Sequence, residues 1–406
     1  MNKISAERIN TLSGGATAAL GFEAAGVSCG VRNSKRDLAL LFSSKPCVAA
    51  AVFTRNVVKG APLGVTREAV NNGGVRAVVV NSGNANAATG EQGVADAREM
   101  QVLAAGALGV SASEVAVAST GVIGVSLPMQ RISSGIAEAA SNLSHSSEGF
   151  ANAILTTDTK TKEASVQFEI DGKTVTIGGT AKGSGMIHPN MGTMLAFMTT
   201  DAVVDKDCLQ QTLSEATDRT FNRITVDGDT SPSDMAILLA NGEADNDPLT
   251  LDSPFYKAFS EAVESVARDL AKQIARDGEG ATRLVEVVVE GAASEQAAAA
   301  LAKSVVGSNL VKAAVFGEDA NWGRVVTALG YSGVEFDPAT LDLSFGPVKV
   351  FEHGEPAAHN EADANAALKG DEVLITARLS EGDASAVAWG CDLTYEYVEI
   401  NGSYRT

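Results

Sequence analysis

The chain has 406 residues, 45% apolar and 20% charged, which is enough to bury a large core and more than one average domain needs. Its formal net charge of −19 argues against a protein that binds nucleic acid by neutralising phosphates. Small anionic substrates stay open, because a few local cations override the global field. Cys29, Cys47, Cys208 and Cys391 are scattered, with no CxxC and no nearby His, so they read as free thiols of a reducing compartment. The opening "MNKISAERINTLSGG" lacks the apolar core of a secretory signal, and no apolar run reaches the ~18 residues of a membrane span. A cytoplasmic globular protein is expected.

Strands are predicted at 37–43 ("DLALLFS"), 48–54 ("VAAAVFT") and 75–83 ("VRAVVVNSG"), followed by a helix from Glu91 to about Leu108. "VAVAST" (115–120) reads as a buried strand stopped by Gly121. Residues 166–179 alternate about Asp171-Gly172, a two-residue hairpin turn. Helices are predicted at 208–221 and 253–278, the second opened by Ser253-Pro254 and closed by Gly278. A strand at 283–292, a helix at 294–308 and a strand at 309–317 come next. From about Leu341 the tail alternates short strands with one Ala-rich helix at 361–369. The mixture implies an α/β or α+β protein without internal repeats.

Three polar stretches each admit two readings. "NSGNANAATGEQG", with Gly83, Gly90 and Gly93, tempts a phosphate-loop reading but fits neither glycine fingerprint and carries no cation; a tight strand–helix turn, its asparagines bonding loop backbone, is the alternative. "FGEDANWGRV" (316–325) either carries site residues at a strand end or anchors a turn through Trp322 and Arg324. Asp227, Asp229 and Asp234 in "NRITVDGDTSPSDM" suit either a cation or turn capping, and the EF-hand spacing is absent.

The stretch "GMIHPNMGTMLAFMTTDA" (185–202) poses a sharper question. Threonine is a poor nucleophile unless a base takes its proton, and a chain-terminal threonine brings its own α-amine for that purpose. That amine has a reference pKa of about 7.7–8, near working pH. Exposing it requires cutting the bond before Thr193, which the hydroxyl does by attacking the preceding carbonyl. Gly192 leaves that carbonyl unshielded, Pro189 stiffens the approach, and the apolar run 194–198 seats the residue on a buried strand. An oxyanion hole is then needed, and "STGVIG" (119–124) offers the Thr120 hydroxyl and the Gly121 N–H. The plain alternatives are a Gly-Thr pair that caps a strand, and an ordinary turn at 119–124.

Together, "AKGSGMIHPNMGTMLAFMTTDA" (181–202), "VVVNSGNANAATG" (78–90), "STGVIG" (119–124), "AILTTDT" (153–159), "NRITVDGDTS" (222–231), "DGEGATRLVEV" (277–287), "DANWGRV" (319–325) and "INGSYRT" (400–406) resemble the ornithine acetyltransferase family. That family comprises the glutamate N-acetyltransferases, some bifunctional, of arginine biosynthesis. The resemblance spans nearly the whole chain. It implies a layered α-β-β-α sandwich of the self-processing aminopeptidase/ornithine acetyltransferase type, with smaller α/β domains whose borders fall near 205–280 and 330–406. It also implies self-cleavage between Gly192 and Thr193 into an α chain, 1–192, and a β chain, 193–406, assembled as an α2β2 heterotetramer.

By the same resemblance Thr193 is the nucleophile that moves acetyl from N2-acetyl-L-ornithine to L-glutamate, with Thr120 and Gly121 as the oxyanion hole. Thr156, Lys182, Thr193, Glu279, Asn401 and Thr406 match substrate-binding positions. Lys182 suits a substrate carboxylate, Glu279 either the substrate's amine or a part in proton movement, and Asn401 with the Thr406 terminus the closing of the pocket. No metal or cofactor is implied, and acetyl-CoA is an alternative donor in bifunctional members. The sequence departs from the family's pattern at Gly192, where alanine is more usual, and at Pro232; neither removes a chemical group. Two rival functions are an aminopeptidase-like hydrolase on the same scaffold and an uncut binding protein.

Overall fold

A computed structural model describes residues 9–33, 35–188 and 194–403. Strands β1 (Asn10–Leu12) and β2 (Phe22–Val27) precede the long strand β3 (Leu38–Phe53). The strands expected at 37–43 and 48–54 are therefore one. Ser44, Lys45 and Pro46 are exposed and shift the register, so they bend the strand without ending it. Helix α1 (Ala61–Asn72) leads to β4 (Val75–Asn84), α2 (Gly90–Leu108), β5 (Val115–Val122), α3 (Met129–Ser141) and α4 (Glu148–Ala153). Gly121 does not stop β5, which runs on to Val122 in parallel pairing with β4. Hairpin β6 (Lys162–Ile170) and β7 (Lys173–Lys182) turns at Asp171-Gly172, both at positive φ, as the Asp-Gly signal demands.

Strand β8 (Leu195–Thr200) is buried at every position. After it come α5 (Lys206–Arg219), capped by Asp205, then β9 (Met235–Ala240) and α6 (Tyr256–Arg276). The C-terminal part holds β10 (Leu284–Ala292), α7 (Glu295–Gly307), α8 (Asn309–Phe316), α9 (Trp322–Gly330), β11 (Asp342–Phe345), β12 (Val348–Glu352), β13 (Glu355–Pro356), α10 (Glu361–Ala366), β14 (Glu372–Arg378), β15 (Ala384–Cys391) and α11 (Tyr395–Ser403). The strand expected at 309–317 is helix α8. Ser308 accepts from the Val311 N–H at its start, and Val311, Ala314 and Val315 are buried while Leu310 is exposed. That is a helical face and not an alternation.

The bent β3 links two sheets. Its second half pairs with β9 in the order β1-β6-β7-β8-β9-β3, and its first half pairs with β2 and β4, with β5 beyond. Phe22, Leu41, Val78 and Val80 of one sheet meet Leu195, Phe197, Ile237 and Leu239 of the other in a shared core. Phe259, Val263, Val266 and Leu270 of α6 cover the outer face of the first sheet, and Met100, Ala104, Ile132 and Ile136 of α2 and α3 cover that of the second. This is the layered α-β-β-α sandwich. A further sheet, β13-β12-β11-β14-β10-β15, packs with α7 and α9 around its own core.

Candidate active site

The ends of β5 and β7, the loop that leads into β9, the loop after α6 and helix α11 converge on one pocket of about 200 Å³. Thr120, Gly121, Thr156, Lys182, Glu279 and Asn401 all line it. Six residues singled out from separate parts of the sequence thus meet in space. Thr193, Gly192 and Thr406 lie outside the described residues. The described chain resumes at Met194, whose carbonyl accepts from the Met235 N–H at 2.9 Å and fixes the start of β8 beside β9.

Close backbone approach holds the oxyanion candidates. Gly121 has φ +130° and pairs with Gly83 across β4 and β5; a Cβ on it would lie 2.3 Å from the Gly83 carbonyl carbon. Only glycine fits there. Thr120 is buried, and its Oγ1 accepts from the Lys182 Nζ at 3.4 Å. Glu279 follows α6 closely. Its N–H donates to the Ser184 carbonyl at 3.0 Å, its carboxylate accepts from the Asn401 amide at 2.8 Å, and a Cβ on Gly185 would collide with that carboxylate at 2.3 Å. Gly185 therefore lets Glu279 lie flat along the end of β7.

A buried ion network supports these groups. Asp158 accepts from the Thr156 N–H at 2.9 Å, the Gly183 N–H at 2.6 Å and the Lys162 Nζ at 2.8 Å. Lys162 also pairs with Asp277 at 2.6 Å. Burial alone would raise the Asp158 carboxyl, but the charges of Lys162 and Lys182 hold it below the usual carboxylate range. Burial pulls the Lys182 ammonium below its ordinary range and Lys162 adds to that, while Asp158, Asp234 and Glu279 oppose it. Among the described residues the pocket thus presents one buried cation, Lys182, together with the carboxylates Glu279, Asp227 and Asp229. Such a site suits a small zwitterion with its carboxylate toward Lys182 and its ammonium toward the acids.

Lys162→Met is expected to strand Asp158 and Asp277 without their cation, lowering stability by about 3–5 kcal/mol at pH 7 in urea unfolding. A carboxyl held low in the folded state contributes stability that is complete above its unfolded pKa of about 3.9 and fades as the pH falls below it. The gap between parent and variant should therefore narrow below about pH 4. Equal stability at pH 7 would contradict the network's role.

The other motifs resolve structurally. Asp227 accepts from the Met186, Ile187 and Asp229 N–H groups at 2.6, 2.9 and 3.2 Å, so it caps the turns, and it also faces the pocket. Asn86 donates to the Gly93 carbonyl at 2.8 Å and Asn84 to that of Ser126 at 2.9 Å, the backbone-satisfying role expected of that loop. Asn321 caps α9, Arg324 bonds the Leu310 carbonyl at 2.8 Å, and Trp322 packs on Phe351 with centroids 5.2 Å apart, away from the pocket. That stretch opens a helix and does not end a strand. The four cysteines are free; burial pushes the Cys29 and Cys47 thiols up to about 12.

Sequence reasoning missed Asp158, Lys162 and Asp277 altogether, along with the pocket residues Ser231, Ser233 and Tyr397. For Asp158 and Lys162 the i,i+4 pairing was present in the sequence, but nothing there showed that Asp277, 115 residues away, completes it.

The two sheets packed face to face between helices, with the pocket at one end of β5 and β7, define an α-β-β-α sandwich enzyme. Residues 23–406 match the model of the ArgJ family. The chain is 57% identical over 399 residues, 97% of it and 99% of the relative, to the arginine biosynthesis bifunctional protein ArgJ of Symbiobacterium thermophilum. It is 48% identical over 407 residues, the full length of both chains, to that of Bacillus subtilis. A crystal structure of arginine biosynthesis bifunctional protein ArgJ from Bacillus halodurans matches at 51% identity and a TM-score of 0.50, over 51% of this chain and 97% of that one. The chain belongs to the ArgJ family and is a transferase of arginine biosynthesis.

Proposed function

We propose that the enzyme moves the acetyl group of N2-acetyl-L-ornithine to L-glutamate through an acetyl ester on Thr193, after the chain has cut itself between Gly192 and Thr193. The carrying observation is the meeting of Thr120, Gly121, Thr156, Lys182, Glu279 and Asn401 around one cavity, with Thr120 and Lys182 also lining a smaller cavity that reaches Met194 and the start of β8. The size of the larger one suits an amino acid. The freed amine of Thr193 takes the proton from its own Oγ, which attacks the acetyl carbonyl. The tetrahedral oxygen is held by the Thr120 hydroxyl and the Gly121 N–H. Ornithine leaves with the proton, and the amine of glutamate then takes the acetyl group from the ester.

In this scheme Lys182 holds the substrate carboxylate, and Glu279, oriented by Asn401, receives the ammonium; Thr156 and Thr406 complete the substrate contacts. Residues 1–192 and 193–406 are then the α and β chains of an α2β2 assembly in the cytoplasm. The Bacillus halodurans chain, matched over nearly its own length but half of this one, has the proportion of one piece of a chain cut near its middle. Among the described residues no single helix is long and apolar enough to cross a membrane. The transfer uses no metal or cofactor, and acetyl-CoA serves as a second donor, in keeping with the relatives' description as bifunctional.

Supplying acetylornithine with and without glutamate tests the reaction. Ornithine release is expected to depend on glutamate and to match acetylglutamate formed, because transfer requires that water be kept from the ester. Ornithine released at the same rate without glutamate would indicate a hydrolase. Acetyl-CoA with glutamate tests the second donor.

A further inference from the structure

The self-cutting step needs a proton carrier that the mature enzyme does not. Once cut, Thr193 has an amine to deprotonate its hydroxyl; before the cut that nitrogen is an amide with no basicity to lend. Another group must carry the Oγ proton to the departing nitrogen.

The start of β8 has such a group beside it. Leu195 pairs with Met235 in parallel register and the Met235 N–H bonds the Met194 carbonyl, so Asp234 lies level with Met194, the residue bonded to Thr193. Asp234 is 3% exposed and Ser233 8%. Among the described residues, Asp234 Oδ2 and Ser233 Oγ are both buried without a hydrogen-bond partner. These residues, with Met194, Ser231, Thr120 and Lys182, line a second cavity of about 20 Å³, which shares Thr120, Lys182, Ser231 and Ser233 with the larger pocket. One water needs about 10–15 Å³ and two or more polar partners. A buried carboxylate oxygen without a partner is costly to keep, and Asp234 lines a space of the right size beside Met194.

We propose that Asp234, through one water held between its Oδ2 and the Ser233 Oγ, relays the proton of the self-cutting step; this rests on the reading of Thr193 as a self-released nucleophile. As the Thr193 Oγ bonds to the Gly192 carbonyl carbon, its proton passes through the water to the Asp234 carboxylate. The same proton returns to the nitrogen as the C–N bond breaks, leaving an ester and an amine. A second water adds to the ester, the C–Oγ bond breaks, Oγ regains a proton, and Gly192 leaves as a carboxylate while the amine takes up the remaining proton. Asp234 thus acts through the water as a positioning residue for proton transfer.

Burial lifts the Asp234 carboxyl well above the ordinary carboxylate range, partly offset by a hydrogen bond from Ser231 and by the Lys182 charge. Among the described residues, Lys182 is the charged group lining this cavity with it; Thr120, Ser231 and Ser233 are neutral, and Asp227, Asp229 and Glu279 line the larger pocket. The reactive form is the carboxylate, so cutting should slow as the pH falls through that raised pKa.

The test follows cutting of the full chain by intact mass, for the parent, Asp234→Asn and Ser233→Ala, each also in the slower Thr193→Ser background. Asp234→Asn is expected to fold, by circular dichroism and thermal melting, yet accumulate uncut chain with cutting slowed at least ~100-fold. Ser233→Ala should slow it about tenfold. In the Thr193→Ser background the acid limb of the pH profile should vanish when Asp234 becomes Asn, which a purely structural role would not produce. A cut parent with Asp234→Asn and Ser233→Ala cut at the parental rate, or an acid limb that survives the Asn change, overturns the relay alone. An active parent that is never cut overturns both the relay and the reading beneath it. Should Asp234→Asn fail to fold, Ser233→Ala, which keeps the carboxyl, decides by the same rate comparison.

Discussion

Thr193→Ala is expected to give a single uncut chain of 41.6 kDa with no measurable acetyl transfer. Two effects fall on one atom. Without Oγ nothing attacks the Gly192 carbonyl, so the chain stays whole, and the same missing oxygen leaves the acetyl group no acceptor. Removing an activated nucleophile from a hydrolase costs on the order of 10⁶ in turnover, and here the base disappears with it, because the amine is never released. Thr193→Ser keeps the oxygen and should give two bands and residual transfer. Denaturing gels and intact mass read the cutting, and ornithine release reads the chemistry. A fully cut alanine variant would mean that some other agent breaks the chain, and an uncut but active one would remove the terminal amine from the mechanism.

The six pocket residues were legible as short motifs, each weak alone, and their meaning came from occurring together in order. What the sequence hid was distance. No motif marks Lys162 or Asp277, yet β6 and the end of α6 bring them to 2.6 Å with Asp158 in the same cluster. The fold was legible where local chemistry decides it: Asp171-Gly172 sets the hairpin, and the helix expected from Glu91 to Leu108 begins one residue earlier, at Gly90. It was not legible where packing overrides pattern. "NLVKAAVF" has the apolar density of a strand, and only the Ser308 cap and the neighbouring α7 make it a helix. The break at Ser44-Lys45-Pro46 looked like a loop between two strands, because a bend joining two sheets carries the same exposed polar residues as a turn.

Gly121→Ala is expected to damage both stability and turnover, and the contrast with Thr120→Ala separates the two. A methyl at Gly121 would sit 2.3 Å from the Gly83 carbonyl carbon, 2.4 Å from its oxygen and 2.8 Å from the Asn84 nitrogen, all backbone atoms of β4. None is the tip of a flexible side chain, so β4 itself would have to shift. The φ of +130° adds roughly 1–3 kcal/mol of strain for any residue with a Cβ. The shift would also turn the N–H assigned to the tetrahedral oxygen, costing about 10²–10³ in kcat. Thr120→Ala removes the other donor without touching backbone, so it should lose a similar factor in kcat while KM and the melting temperature change little. If Gly121→Ala melted like the parent and kept its turnover, the tight β4–β5 approach would have no part in holding the oxyanion. If Thr120→Ala lost stability and left kcat intact, the hydroxyl would serve the Lys182 contact and not the reaction.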